Sequence, residues 1–190
     1  SGRFIDPEIL PYEIEAIVHA ARFLKAAGCE HLVLGGGMNA SGQYSESDYA
    51  LFFKSLDEVG QRCQNEGVAL CYHPHSGTMV ETGPQIARLC DSTDPRYVHL
   101  APDVAHAVRG GADPVELIRR HAERIRYVHL KDIRGDEFVE LGRGTIDLAG
   151  CLEALSGIGF SGPMVVELDD TTLTPLESAR ISHDFLTNLP

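Results

Sequence analysis

The sequence contains no hydrophobic run long enough to cross a lipid bilayer. A transmembrane helix needs about 20 consecutive, mainly apolar residues, and the 190 residues include no such run. Residues 1–10 also lack the basic and apolar regions that mark a secretory signal peptide. We therefore expect a cytoplasmic protein without a membrane partner.

Cysteine is scarce, and its spacing is not that of a cross-linked domain. The five cysteines are odd in number and form no CxxC pair, so neither a disulfide framework nor a cysteine-based zinc site is expected. We predict reduced and mostly buried thiols at Cys29, Cys63, Cys71, Cys90 and Cys151.

Positive charge is also in short supply. Lysine and arginine number 16 against 28 acidic residues, which gives a formal net charge of -12. Nucleic-acid binding requires clustered basic side chains to neutralise phosphates, and here they are dispersed. We expect no nucleic-acid partner and predict a small-molecule ligand.

Two glycine-based catalytic motifs are absent. The glycines at 35–37 lack the GxGxxG spacing of a dinucleotide-binding loop, and they predict instead a tight strand-to-loop turn that leaves room for substrate. No GxSxG elbow surrounds Ser76 or Thr78. Cys71 is expected to face the helices, which disfavours a Cys-His nucleophile pair with His73.

The hydrophobic residues, 43% of the chain, suffice for the core of a single domain spanning residues 1–190. Their spacing predicts a helix near residues 12–27, followed by strands that alternate with helices. Five strands are expected, at 31–37, 68–75, 97–103, 127–132 and 163–169. This alternation is typical of an α/β fold with a parallel sheet, either open and doubly wound or part of a (β/α)8 TIM barrel.

Polar side chains at the carboxyl ends of four strands favour the barrel. The pentapeptide Arg-Tyr-Val-His-Leu occurs at 96–100 and again at 126–130, and each copy leads to a carboxylate, Asp103 or Asp132. Barrels gather their sites at this end of the strands, whereas open sheets bind ligands mainly where the strand order reverses. The repeat therefore marks two neighbouring strands of one site, with His99 deeper in the barrel than His129.

The outermost inward-facing positions of these strands form a candidate metal site. Residues two apart on a strand share a face, and the resulting set is His73 or His75, Asp103, His129 and Glu167. Two imidazoles and two carboxylates can hold a divalent metal ion. Mixed nitrogen and oxygen ligands suit Mn, Co, Zn, Fe or Ni better than Mg or Ca.

Several segments carry a family resemblance: CYHPHSGTMVET (71–82), PDVAH (102–106), ELGRGTID (140–147) and GFSGPMVVELD (159–169). They resemble the xylose-isomerase-like sugar phosphate isomerase and epimerase superfamily, in particular its branch of inosose dehydratases, from about Gly28 to the C-terminus. The resemblance implies a (β/α)8 barrel with a divalent metal held by groups on four late strands.

The resemblance also implies roles for individual residues. The metal ligands would be His73 in place of the family's usual Glu, with Asp103, His129 and Glu167. The catalytic residues would be Glu167, His73 and Lys131. Substrate contacts would come from His75, His106 and Lys131.

The chain departs from the family pattern in two further ways. The usual Asp-Thr-Gly-His segment is Asp-Val-Ala-His at 103–106. The five strands correspond to the fourth through eighth of the barrel, so the first three are missing. An incomplete barrel would expose sheet edges and apolar surface, and we therefore expect a homo-oligomer, a dimer or larger.

The leading functional hypothesis is a metal-dependent sugar isomerase or epimerase that moves a proton next to a carbonyl of a keto sugar or polyol. An alternative is inosose (keto-cyclitol) dehydratase activity, in which one base and one imidazolium acid suffice. A second alternative is a catalytically impaired module that keeps a sugar or metal pocket without turnover.

Overall fold

The structure is a computed structural model of the chain, and it describes residues 2–38 and 42–189. Helices and strands alternate along most of the chain, as the sequence predicts. The helices are α1 (Leu10–Ala26), α2 (Glu46–Asn65), α3 (Gly83–Ser92), α4 (Val104–Arg109), α5 (Pro114–Arg120), α6 (Leu148–Gly157) and α7 (Pro175–Thr187). The strands are β1 (His31–Leu34), β2 (Ala69–Tyr72), β3 (Val98–Leu100), β4 (Val128–Leu130), β5 (Asp132–Arg134), β6 (Glu137–Val139) and β7 (Met164–Val166).

Five strands run parallel in chain order, which confirms the α/β class with about five parallel strands. β1, β2 and β3 form one ladder, and β4 pairs with β7 in another. Isolated parallel bridges join the two ladders, from Leu100 to Ile125 and from Asp103 to His129. The second bridge places Asp103 beside His129, so the two histidines of the repeated pentapeptide lie at different depths.

The helices cover one face of this sheet and build the core on that side. Tyr72 of β2 packs its ring against Phe52 of α2, with centroids 5.7 Å apart, and its hydroxyl donates to the carbonyl of Gly36. The starts of α2 and α3 have local causes, because Ser45 forms a capping box with Asp48, and Thr82 forms one with Gln85.

The strands are shorter than predicted, and two elements were not foreseen. β2 ends at Tyr72, before His73 and Pro74, although the His73 N–H still donates to the Leu34 carbonyl. A short helix, α4, begins directly after Asp103. After the predicted fourth strand, the chain forms an antiparallel hairpin of β5 and β6.

Asp132 fixes the segment that follows this hairpin. Its side chain is buried and accepts backbone N–H bonds from four residues. The donors are Ile133, Gly142, Gly144 and Ile146. A carboxylate with this many N–H donors is well solvated by the protein, so Asp132 serves to hold the loop in place.

Two expectations about individual residues are wrong. Cβ atoms at Gly36 and Gly37 would meet Gly2 and the Phe52 ring, and both glycines have positive φ, so close packing by the protein, rather than space for substrate, requires them. Cys71 lies two residues before His73 and pairs in register with His99. Its side chain therefore shares the inner face with His73 and does not face the helices.

The barrel is not closed. Along His31–Leu34 of β1 and Met164–Val166 of β7, none of the residues in the described ranges supplies a further strand. An open cleft of about 900 Å³ lies beside β1 and is lined largely by apolar side chains of α1 and β1. In the same described part of the chain, no helix is long and apolar enough to span a membrane.

Candidate functional site

The four residues of the candidate metal set lie together at the carboxyl ends of their strands. One ligand atom from each of His73, Asp103, His129 and Glu167 lies within 4.8 Å of the other three. Nδ1 of His129 is 2.8 Å from Oε2 of Glu167 and 3.9 Å from Oδ2 of Asp103. The exposed fraction of the side chain rises from 0% for Asp103 to 12% for His129 and 37% for Glu167.

The two carboxylate oxygens of Asp103 have different contacts. Oδ1 accepts the N–H groups of Ala105 and His106 and so caps the first turn of α4. Oδ2 points the other way, toward His129 and Lys131. The helix cap therefore fixes the orientation of the oxygen that faces the site.

The atoms that converge here are left without ordinary partners. Among the described residues, Oδ2 of Asp103, Nδ1 of His129 and Oε2 of Glu167 are buried and make no hydrogen bond. The 2.8 Å approach of His129 to Glu167 lacks hydrogen-bond geometry. Unpartnered buried polar atoms are costly, and a cation bound among them would satisfy all three. The residues present thus fit a divalent metal ion.

The charges of the site support the same fit. Lys131 is fully buried, and its Nζ lies 2.9 Å from Asp169, 3.7 Å from Glu167 and 3.9 Å from Asp103. Three carboxylates thus face one ammonium group, an excess of negative charge that a divalent cation would balance. Burial raises the pKa of Asp103, whereas the adjacent His129 ring lowers the pKa of Glu167.

A group of three histidines adjoins this set. His73 belongs to both groups, and its ring centroid lies 4.7 Å from that of His129. The rings of His75 and His106 are 3.8 Å apart. Burial lowers the pKa of His73 to about 4 and that of His106 to about 3, so both rings are neutral at physiological pH.

Phe138, at the centre of β6, covers the site from the hairpin. Its ring lies 4.3 Å from Nζ of Lys131 and 4.2 Å from the guanidinium carbon of Arg109, and its centroid is 5.1 Å from that of His106. No role was predicted for Phe138 or Asp169 from the sequence. Asp169 has the same strand parity as Glu167, so the sequence could have placed it at the site. No pattern in the sequence could have placed Phe138 there, because its position depends on the unforeseen hairpin.

The predicted site residues are therefore brought together. His73, His75, Asp103, His106, His129, Lys131 and Glu167 all line one end of the sheet. His99 lies apart from these residues, next to Leu100, which forms the bridge to Ile125. It is close enough to Arg124, Arg126 and His31 to interact with them electrostatically. The roles assigned to these residues stay predictions.

Comparison with known proteins agrees with this architecture. The chain is 31% identical to an inosose dehydratase of Geobacillus kaustophilus, over 98% of the chain and 71% of that protein. It resembles the crystal structure of a sugar phosphate isomerase/epimerase from Parabacteroides distasonis, with a TM-score of 0.81 and 23% identity, over 97% of the chain and 68% of that protein. A crystal structure described as IOLI protein with a binding zinc atom gives a TM-score of 0.82 at 22% identity, over 96% of the chain and 70% of that protein.

The matches differ in how much of each relative they cover. The chain spans little more than half the length of several other curated inosose dehydratases that it matches, 52–55%. The model of the family described as "Xylose isomerase-like TIM barrel" matches residues 4–189, nearly the whole sequence. The chain therefore belongs to the xylose isomerase-like TIM barrel family.

Proposed function

We propose that the protein is a metal-dependent dehydratase that removes water from a keto-cyclitol such as an inosose. The observation that carries this proposal is the composition of the site: Glu167 is the carboxylate of the ligand set that solvent can reach, and it lies in one group with His73, which also belongs to the cluster of His75 and His106. An elimination needs one base and one acid. The inosose dehydratase relative supports the choice of substrate.

The metal ion would be held by His73, Asp103, His129 and Glu167. When bound, it would act as a Lewis acid that polarises the substrate carbonyl and stabilises the negative charge formed on its oxygen. The nitrogen and oxygen donors favour Mn, Co, Zn, Fe or Ni. The zinc atom named for the IOLI protein structure supports a metal in this family.

The protein's own side chains would carry the protons. Glu167 takes the proton from the carbon next to the carbonyl, and Lys131 balances the charge that develops on oxygen. His75 in its imidazolium form then protonates the β-hydroxyl as its C–O bond breaks, so the hydroxyl leaves as water. Nε2 is the nitrogen that donates, because Nδ1 of His75 is 2.8 Å from the Ser76 carbonyl. His106 would contact a substrate hydroxyl.

Sugar isomerisation or epimerisation, which the sequence analysis ranked first, remains the second candidate. The epimerases and the sugar phosphate isomerase/epimerase among the structural relatives favour it. An epimerase often needs a base on each face of the carbon, and in this chain His73 or His75 would have to replace a second carboxylate. The dehydratase proposal makes no such demand.

Proton NMR in deuterated water distinguishes the two reactions. The chelator-treated protein is reloaded with Mn²⁺ or Co²⁺ and mixed with an inosose or with a panel of ketoses. We expect the inosose to lose a hydroxyl group and give a dehydrated diketone. Deuterium at the carbon next to an intact carbonyl, with no loss of water, would instead indicate an isomerase or epimerase.

A pair of variants links the activity to this site. Glu167→Gln should lower kcat by about 10²- to 10⁴-fold, the usual contribution of a general base. Glu153→Gln, an exposed position on α6, should leave it unchanged. A metal-loaded protein that turns over none of these substrates would contradict both enzymatic proposals and would support the impaired module.

We also propose that residues 1–190 fold as a single domain that self-associates. One cluster of buried apolar residues runs from Phe4 to Leu155 and supports the single domain. The exposed apolar residues of β7 and the cleft beside β1 support association. A purely monomeric sedimentation profile at tens of micromolar protein would contradict it. The cytoplasmic location stays a prediction.

A further inference from the structure

Three histidines beside the proposed metal set converge on a point of their own. One ring nitrogen from each of His73, His75 and His106 lies within 4.8 Å of the other two. The ring centroid of His73 lies 5.4 Å from that of His75 and 5.7 Å from that of His106. His73 and His75 follow β2, and His106 is the third residue of α4, so the cluster joins the segment after one strand to the start of a helix.

The other ring nitrogens hold the three rings in place. Nδ1 of His73 is 3.2 Å from the carbonyl oxygen of Ala101, and Nδ1 of His75 is 2.8 Å from that of Ser76. A carbonyl only accepts, so both Nδ1 atoms donate, and in the neutral ring Nε2 keeps its lone pair. Backbone carbonyls orient metal-binding histidines in this manner, since the bond fixes the tautomer and the ring direction.

His106 supplies the most direct indication of a ligand. Its Nδ1 lies 3.0 Å from the hydroxyl oxygen of Ser76 and 3.5 Å from the Ser76 backbone nitrogen, whose N–H donates to it. A metal at Nε2 therefore requires the tautomer in which Nδ1 donates to the Ser76 hydroxyl instead. Nε2 of His106 is buried, in a residue that is 2% exposed, and has no hydrogen-bond partner among residues 2–38 and 42–189. A buried nitrogen without a partner destabilises the fold, unless a ligand satisfies it.

We propose that His73, His75 and His106 form a second metal position that competes with the mixed set for His73. A single imidazole nitrogen binds one metal ion, and Nδ1 of His73 is committed to Ala101, so His73 cannot bridge two ions. The all-imidazole position suits Cu²⁺, Ni²⁺ or Zn²⁺, whereas the mixed set with two carboxylates suits Mn²⁺. The identity of the ion therefore decides which position is filled.

This competition has a consequence for the reaction, which rests on the proposed function. An ion at the three-histidine position would occupy the nitrogens of His75 and His106 that face the substrate, and it would take His73 from the mixed set. Metals that prefer imidazole should thus inhibit the Mn²⁺-loaded protein. The three-histidine position itself does not depend on which reaction is catalysed.

Electron paramagnetic resonance with Cu²⁺ and Mn²⁺ tests the proposal on the metal-free protein. We expect one tightly bound Cu²⁺ with nitrogen hyperfine splitting, and release of one Mn²⁺ for each Cu²⁺ added to the Mn²⁺-loaded protein. The double variant His75→Gln with His106→Gln should lose at least about 100-fold in Cu²⁺ affinity, since loss of an outer partner alone costs 10–100-fold. Its Mn²⁺ affinity should change by less than about threefold, because the mixed set is intact.

The reciprocal variant and a surface control complete the test. Asp103→Asn should weaken Mn²⁺ binding and leave Cu²⁺ binding within about threefold, since it removes a carboxylate from the mixed set alone. The double variant of the exposed His19 and His183 to Gln measures Cu²⁺ bound at surface histidines. If the inner double variant loses its cooperative thermal transition, His75→Gln alone is used, with about a tenfold expected loss of Cu²⁺ affinity.

Unchanged Cu²⁺ affinity in the inner variants would overturn the proposal, as would Mn²⁺ that stays bound while Cu²⁺ binds. Equal loss of both ions in the inner double variant and in Asp103→Asn would show one site rather than two. If the Cu²⁺ results are as expected but Asp103→Asn leaves the Mn²⁺ affinity unchanged, the result would instead contradict the mixed metal set of the proposed function.

Discussion

The carboxyl end of the sheet and its open side bury their side chains to very different degrees. At the carboxyl end, Lys131 and Asp103 are 0% and 1% exposed, held by a helix cap, ion pairs and the Phe138 ring. On the open side, Met164 of β7 is 50% exposed and Phe23 of α1 is 73% exposed. The chain's four strands β2, β3, β4 and β7 are enough to assemble the polar site, whereas the described residues leave the apolar surface uncovered.

The largest expected effect comes from separating the two tasks of Asp103. Asparagine is also a good helix cap, so Asp103→Asn should keep the stability of α4 but lower Mn²⁺ affinity by about 100-fold, the upper range for loss of an outer partner. Asp103→Ala should lose the same affinity and also about 0.5–2 kcal/mol of unfolding free energy, because the cap disappears. Isothermal titration calorimetry and urea unfolding provide the two measurements. Equal stability of the two variants would show that the cap contributes nothing.

The open side should respond in the opposite way, with a change in association and little change in folding. Phe23→Asp should raise the dimer dissociation constant at least about tenfold, because burying a phenylalanine side chain is worth about 1.5–3 kcal/mol. Tyr12→Asp is the matched control, since Tyr12 is 77% exposed on the same helix but does not line the cleft. Sedimentation velocity measures both. A similar effect of the two substitutions would exclude the cleft as the contact surface.

The sequence predicts the features of these two regions that depend on local chemistry. The apolar alternation locates the five parallel strands, and strand parity groups Asp103, His129 and Glu167. Parity also describes Cys71 correctly when it is counted from His73, and the contrary expectation was an error of that count.

The features that the sequence did not predict depend on contacts between distant segments. α4 starts because the Asp103 side chain accepts two N–H bonds, and a six-residue helix leaves too little periodicity to be recognised. The β5 and β6 hairpin turns at Gly135, which has a φ of 61°. Its charged residues predict only a loop, and the position of Phe138 over Lys131 follows from packing across the site.

A smaller effect tests how firmly the hairpin covers the site. A double-mutant cycle of Lys131→Met and Phe138→Leu, measured by urea unfolding, should give a coupling energy of about 1 kcal/mol, because the ammonium is desolvated against the ring. Arg96 is exposed and lies over the half-buried ring of Tyr97, with 4.9 Å between guanidinium carbon and ring centroid. This pair should couple more weakly, because water screens the guanidinium. Equal coupling in the two cycles would remove the energetic distinction between the covered site and the surface.

The smallest effect concerns His99, which lies between the two regions on the inner face of β3. Burial, followed by the charges of Arg126 and Arg124, lowers the pKa of His99 from 6.5 to about 4. Between those values the unfolded chain binds a proton that the folded protein does not, so the unfolding free energy falls as the pH drops through this window.

His99→Gln should therefore make stability less sensitive to acid, by at most about one proton in the slope of unfolding free energy against pH. His73 and His106 act in the same direction and will preserve part of the slope, while Asp103, whose pKa is raised, opposes them. Urea unfolding across this pH range measures the slope, with the exposed His19→Gln as control. An unchanged slope in His99→Gln would mean that His99 takes up its proton in the folded protein, through solvent that enters from the open side of the sheet.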